Sequence, residues 1–303
     1  MAENISARIA KDCLYRCSFR LASGSTYKGS DPTVTAEIDA QLFRYINTIR
    51  RVPDTPGARA LELGAPPFLM SVLVRRFRRI DLEIAAYYKP DEFASPVTIE
   101  DEQSGERSLL AFERFNVEKD QFPYPDGSFD VVLCCELLEH LIFNPMHLLS
   151  EVHRVLKRSG RFILTTPNVI KIGNIVKLLR SENIYDSYFA DSTYARHTRE
   201  YTPQEVEHLL AFTGFAVVEL TTENCLQRRL TWKGRLVNHG VALTSWLMDR
   251  RRLQRNAIGA LRGDIIFAVA ERSDRCGDGV AAPIIHGEKQ SLLRQAEGFP
   301  SVL

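Results

Sequence analysis

Phe129-Asp-Val-Val-Leu-Cys-Cys-Glu-Leu-Leu-Glu-His140, running on through Arg154-Val-Leu-Lys157 to Thr165-Thr-Pro-Asn168, decides the fold class of this chain. Phe129 to Leu133 is a short apolar run with valines, bounded by Pro125-Asp-Gly-Ser128 and by Cys-Cys-Glu. Such a run reads as a strand buried on both faces. From Pro145 the residues Met146, Leu148, Leu149, Val152, Val155 and Leu156 follow helical spacing, and Pro145 suits a first turn. Ser159-Gly160 stops that helix and Arg161 to Thr166 begins another strand. Strand, crossover helix and strand in this order imply a parallel sheet, whose ligands sit at the carboxyl ends of its strands. Those ends carry Cys135, Glu136, Glu139 and His140 after one strand and Thr166, Pro167 and Asn168 after the other. The chemistry is expected there.

Composition narrows the field. The chain has 303 residues, 45% of them hydrophobic, enough for one large core. Its 39 basic and 38 acidic residues nearly cancel, so no nucleic-acid partner is expected. Cys13, Cys17, Cys134, Cys135, Cys225 and Cys276 lack the paired spacing of a zinc site. No metal is expected. Cys134 and Cys135 at the end of a buried strand favour reduced thiols and a cytoplasmic setting. No signal peptide and no run long enough to span a membrane is visible.

Residues Met1 to about Ser30 are polar without a clear period, and Thr33 to Arg51 has the stripe of an amphipathic helix. Residues 1–57 therefore read as an N-terminal helical cap before a main domain at 58–272, with a flexible tail at 273–303. Ala60-Leu-Glu-Leu-Gly-Ala65 is a strand closing on an acid and a glycine, and Pro66-Pro-Phe-Leu-Met70 leads into a helix. A dinucleotide site wants Gly-x-Gly-x-x-Gly at such a turn. Pro66 and Pro67 have no N–H to give a pyrophosphate, which places a nicotinamide-dependent oxidoreductase well behind. Ile80 to Tyr88 forms a second strand that lacks a terminal ribose-binding acid, and Tyr87 or Tyr88 is the substitute on offer. Pro90 to Leu109 reads as acidic loop, and Leu109 to Asn116 as a third strand.

Leu61-Glu-Leu-Gly64, Asn116-Val-Glu118, Phe122-Pro-Tyr-Pro-Asp-Gly-Ser-Phe-Asp130, Glu139-His140, Glu151, Arg154-Val-Leu-Lys157, Gly160 and Thr166-Pro-Asn168 together resemble the class I S-adenosylmethionine-dependent methyltransferases, of the type 11 kind. The resemblance covers about residues 58–221, and its middle block is the specific part. It implies an α/β fold: a Rossmann-like, seven-stranded, mostly parallel sheet flanked by helices, with S-adenosyl-L-methionine as cofactor. It places Glu62, Gly64 and Ala65 along the methionine part of that cofactor, Asn116 and Val117 near adenine, and Cys135 and Glu136 beside the sulfonium. Three departures stand out. The family's Gly-x-Gly is Gly64-Ala65-Pro66-Pro67, the acid after the second strand is missing, and the Pro-Gly-Gly turn is Arg158-Ser159-Gly160. A subgroup with this loop, acting on sugars or other small polar acceptors, is the expectation.

Beyond Asn168 a short helix over Ile172 to Leu179 precedes an aromatic, polar lid at about 181–201. Thr202-Pro-Gln-Glu205 is a capping box that starts the next helix, and Phe215 to Leu220 a further strand. His197 is the best general-base candidate, against the plainer reading of a hydrogen-bonded residue that anchors the lid. His140 is the second candidate, although the Glu-His pair suits lining the pocket better. Residues 227–262 are basic and amphipathic, with Trp232 and Trp246. Peripheral membrane contact and self-association are the two functional readings of that segment. Gly263 to Ala270 closes the sheet as a last strand. The chain is therefore expected to O-methylate a small-molecule or glycan acceptor, the alternative being a non-catalytic methyltransferase-like binding protein with a degenerate loop.

Overall fold

The computed structural model describes residues 5–86, 96–185, 196–225, 239–240, 243 and 262–273. Tyr87, residues 186–195 of the expected lid, nearly all of the 227–262 segment and the expected tail after Ser273 lie outside them. The chain opens with α1 (Ala7–Tyr15), strands β1 (Cys17–Arg20) and β2 (Thr26–Lys28), and the long helix α2 (Pro32–Arg51). β3 (Ala58–Leu63), α3 (Leu69–Phe77) and β4 (Ile80–Ala86) follow, then β5 (Val97–Asp101), β6 (Arg107–Leu110) and β7 (Glu113–Arg114). The second half holds β8 (Phe129–Cys135), α4 (Met146–Val155), β9 (Leu156–Pro167), α5 (Ile172–Leu179), α6 (Pro203–Phe212), β10 (Phe215–Glu223) and β11 (Ile265–Arg272).

Seven strands form one sheet in the order β10-β11-β9-β8-β3-β4-β7. β11 runs antiparallel to both neighbours, while the β9, β8, β3, β4 and β7 pairings are parallel. The order reverses between β3 and β8, the place where a parallel sheet opens a crevice at its strand ends. Ala60 to Leu63 are all buried, as are Val131 to Cys134, which is what helices on both faces require. The capping box at Thr202 and Glu205 is formed, with Pro203 at the head of α6. β9 begins at Leu156, earlier than the expected Arg161, and its register against β8 shifts between Phe129 and Val131 to take up the extra length.

Two expectations fail. Residues Met1 to Ser30, read as lacking a period, contain α1, β1 and β2. Pro90 to Leu109, read as loop, contains β5 and β6. These strands build a second, antiparallel sheet, β2-β1-β5-β6, in which Phe19 faces Ile99. Its strands are short, and polar residues on the open face mask the alternation that marks a strand. Asp101 turns the β5–β6 hairpin by accepting the Gln103 and Ser104 N–H groups. The single strand expected over Leu109 to Asn116 is divided. Leu110 pairs with Val97 in the small sheet, and Arg114 pairs with Ala86 in the large one.

Helix α2 carries the small sheet's flank onto the large sheet, and two arginines hold its end. The buried Arg78 guanidinium donates to the carbonyls of Ile49 (2.6 Å) and Val52 (2.8 Å), satisfying a helix C-terminus that has few other partners. Arg51 reaches Glu219, Glu223 and Thr221 on β10 and lies 4.4 Å over the Phe267 ring. Replacing Arg78 by Met removes both side-chain donors and leaves the Ile49 carbonyl with the Val52 N–H alone. Arg78→Met should lose about 1.5–3 kcal/mol of stability, seen in urea as a lower midpoint at unchanged slope.

Candidate active site

Gly64 ends β3 with φ +73°, a left-handed conformation that glycine adopts without strain. Its N–H donates to Ala85 O at 3.0 Å. A side chain here would meet Leu137 Cδ1 at 3.1 Å, so the turn from β3 and the loop after β8 pack against each other. Ala65 is buried behind it, and Phe68 enters α3 with φ +67°. Glu62, 3% exposed, accepts from Ser71 Oγ at 2.7 Å and so pins β3 to α3. Burial pushes its carboxyl up to about 7, against the pull of Ser71 and Arg44.

Across the crevice, burial pushes the Cys135 thiol up to about 12. Glu136 has φ +51°, its N–H donates to Thr165 O at 2.9 Å, and its Oε1 is buried with no hydrogen-bond partner among the described residues. Non-glycine residues in this conformation cluster at functional sites. Arg44, from α2, is a residue the sequence reading missed. It is 6% exposed, and its charge is felt by Glu62, Cys135 and Glu139. Glu136 leads the surrounding negative groups that hold its pKa up against burial. Arg44 lies one step beside the apolar stripe of its helix, and that single displaced charge is its whole signature in the sequence.

Asn116 follows β7, whose end pairs with the end of β4. Its Oδ1 accepts the Glu118 N–H at 2.9 Å and its own N–H donates to Asp120 Oδ2 at 2.7 Å. Asn116 thus builds its turn, and Val117 packs against the core beside it. A groove of about 530 Å³ between Ile80–Ile84 and Leu109–Glu113 lies along the entry half of β4. That groove is away from the strand ends that gather the polar residues.

The other expected residues converge. A short helical turn after β8, Leu138–His140, places Glu139 fully inside, where its Oε2 accepts from Thr166 Oγ1 at 2.9 Å. Burial and the charge of Glu136 hold the Glu139 carboxyl well above the usual range. The Glu139 carbonyl accepts the N–H groups of Thr198 (2.7 Å) and Arg199 (3.2 Å), fastening the return of the expected lid. His140 Nδ1 donates to the Arg196 carbonyl at 3.0 Å, and His197 Nδ1 donates to Glu200 Oε1 at 2.9 Å. The two imidazoles stand edge to face with centroids 5.1 Å apart. Burial alone would raise the Glu200 carboxyl, yet the His197 hydrogen bond and Lys171 hold it below the usual range. Asn174 Nδ2 donates to the other Glu200 oxygen at 3.2 Å. Asn168 is structural: its Nδ2 donates to Gly263 O, and it bridges to Tyr201.

Residues 77–164 match the family model of a methyltransferase domain. A solved archaeal structure, a S-adenosylmethionine-dependent methyltransferase from Archaeoglobus fulgidus, superposes with TM-score 0.50 at 16% identity, over 80% of this chain and all 100% of that one. The putative methyltransferase of Haloferax volcanii, described in complex with the Trm112 activator, gives 0.54 at 14% identity over 81% and 96%. The fold is the class I methyltransferase fold. Its family match implies S-adenosyl-L-methionine as cofactor. Among curated proteins, a probable S-adenosylmethionine-dependent methyltransferase of Mycolicibacterium smegmatis is 34% identical over 99 residues, 32% of each chain. A probable methyltransferase of Arabidopsis thaliana, PMT4, is 41% identical over 86 residues, 26% of this chain and 14% of that protein. The chain thus spans a third or less of these curated relatives. The family match starts after the Gly64 turn, where the methyltransferase pattern departs most.

Glu62 gives a pH signature. Its folded pKa of about 7 lies above the ordinary 4.5, so the folded state prefers the protonated carboxyl. The stability this contributes is complete below about pH 4.5 and is lost as pH rises through about 7. The loss is on the order of 3 kcal/mol. Glu62→Gln keeps an acceptor for Ser71 and should gain stability relative to the parent between pH 5 and 8. Chemical denaturation at both pH values measures this.

Proposed function

We propose that this chain is a S-adenosylmethionine-dependent methyltransferase that modifies an oxygen of a small-molecule or glycan acceptor. One observation carries the reading: the Gly64 turn, the unpartnered Glu136 Oε1 and the His140–His197 pair all gather at one switch point of the sheet. The residues present fit the cofactor's charges. Glu136, with a buried and unpartnered oxygen, offers a carboxylate for its sulfonium or ammonium group, and buried Arg44 suits its carboxylate. Glu62, Gly64 and Ala65 would line its methionine part, Cys135 and Glu136 the sulfonium side, and Asn116 and Val117 the adenine side. Tyr87 remains the proposed ribose partner.

When bound, S-adenosylmethionine supplies a methyl group already activated on a sulfonium. The protein's task is then positioning and removal of one proton. His197, its Nδ1–H held by Glu200, has the orientation of a general base whose charged form is stabilised by a carboxylate. His140, fixed by the Arg196 carbonyl, lines the same face.

Calorimetry with S-adenosylhomocysteine should give a single-site isotherm, and absence of binding would overturn the reading. His197→Ala should keep that affinity and slow methyl transfer by about 10²–10⁴-fold. Cofactor binding with no turnover on any hydroxyl or sugar acceptor would favour a non-catalytic binding protein instead.

A further inference from the structure

Glu139, His140 and His197 each offer one ligand atom, and these atoms lie within 4.8 Å of one another. We propose that they form a site for a divalent cation of the class that imidazole and carboxylate groups hold, such as manganese, iron or zinc.

The cluster has the outer support that metal ligands need. Metal-binding imidazoles almost always donate their second ring N–H to a carbonyl or carboxylate, which fixes the tautomer and the ring plane. Here His140 Nδ1 donates to the Arg196 carbonyl and His197 Nδ1 to the Glu200 carboxylate. The His140 Nε2 edge faces Glu139 Oε1 at 3.9 Å. The third ligand is steadied in the same way, since Glu139 Oε2 accepts from Thr166.

A separate observation points to a ligand. Glu139 is 0% exposed, yet its Oε1, the oxygen that faces His140, has no hydrogen-bond partner among the described residues. A buried carboxylate oxygen left unpaired is costly and calls for an ion or water. Glu136 Oε1, three residues earlier, is buried and unpartnered too. Ligands at about 2.1 Å from one cation stand about 3–4 Å apart, so closure by about 1–2 Å at most completes the set. Half-exposed His197, on the return of the expected lid, can supply that movement.

Three protein ligands leave coordination positions open. At the acceptor side of the crevice those positions suit an acceptor that presents two adjacent oxygens, such as a vicinal diol of a sugar. The inference rests on the acceptor-side reading given above and changes the task of the imidazoles: they become ligands, and the cation makes the acceptor oxygen more acidic. The ligands come from two loops more than fifty residues apart in sequence. No local spacing motif therefore announces them.

The full chain, stripped with a chelator, would be titrated with Mn²⁺ and Zn²⁺ by calorimetry. One cation per chain is expected, with affinity reduced by about 100-fold or more in Glu139→Gln and His140→Ala and unchanged in His208→Ala. Pulsed electron paramagnetic resonance of the Mn²⁺-loaded wild type should show imidazole ¹⁴N modulation. This needs no variant, so a misfolded mutant leaves the test intact. Absence of stoichiometric binding, absence of that modulation, or unchanged affinity in the ligand variants would each overturn the cation site. S-adenosylhomocysteine titrations of the stripped protein separate the two readings. Cofactor binding without cation binding removes only the cation site, and cation binding without cofactor binding removes only the methyltransferase reading. Methyl transfer indifferent to chelation also counts against the cation.

Discussion

Glu139 holds the two halves of the crevice together. Its carboxyl is buried and bonded to Thr166 at the end of β9, while its backbone carbonyl takes two N–H groups from the segment returning out of the expected lid. One residue thus joins the end of the sheet to a loop nearly sixty residues further along the chain. His140 follows it directly, and His197 precedes the Thr198 N–H that it anchors. The edge-to-face meeting of the two imidazoles is a consequence of that backbone pair. Burial of a carboxyl is expensive unless its oxygens are satisfied, so this geometry is retained at a cost in stability.

Charge at the crevice is uneven. Glu62, Glu136 and Glu139 crowd the ends of β3 and β8, and Arg44 is the guanidinium buried among them. The position of Arg44 is set from a distance. Arg78 satisfies the last carbonyls of α2, and Arg51 ties the same end to β10, so that the helix crosses the sheet with Arg44 over the mouth. Burial holds the Glu62 and Glu139 carboxyls above their ordinary range, and for Glu139 the charge of Glu136 adds to it.

The large sheet was legible because its strands are buried on both faces and announce themselves as unbroken apolar runs, as at Ala60–Leu63 and Val131–Cys134. The α6 start was legible from local chemistry alone, in Thr202, Pro203 and Glu205. The small sheet was not, since only the face of its strands that carries Phe19, Val97 and Ile99 is buried and the strands span a few residues each. At the site, the identity of the residues after β8 could be read from the chain. The meeting of His140 with His197, and the arrival of Arg44, are tertiary facts created by backbone contacts far apart in sequence.

The pairing of β1 with β5 has a bearing on how the chain folds. Phe19 finds its partner at Ile99, beyond the whole β3–α3–β4 unit. The first strand therefore stays without its central neighbour until that unit has been made, and closing so long a loop is slow. Once closed, the small sheet touches the crevice directly: the Tyr27 hydroxyl donates to the Pro67 carbonyl at 2.9 Å. A fragment starting at Ala58 would retain every strand of the large sheet. It would also leave the backbone edge of β5 bare and the Pro66–Pro67 turn without its outer support, a combination that favours edge-to-edge aggregation over a smaller folded domain.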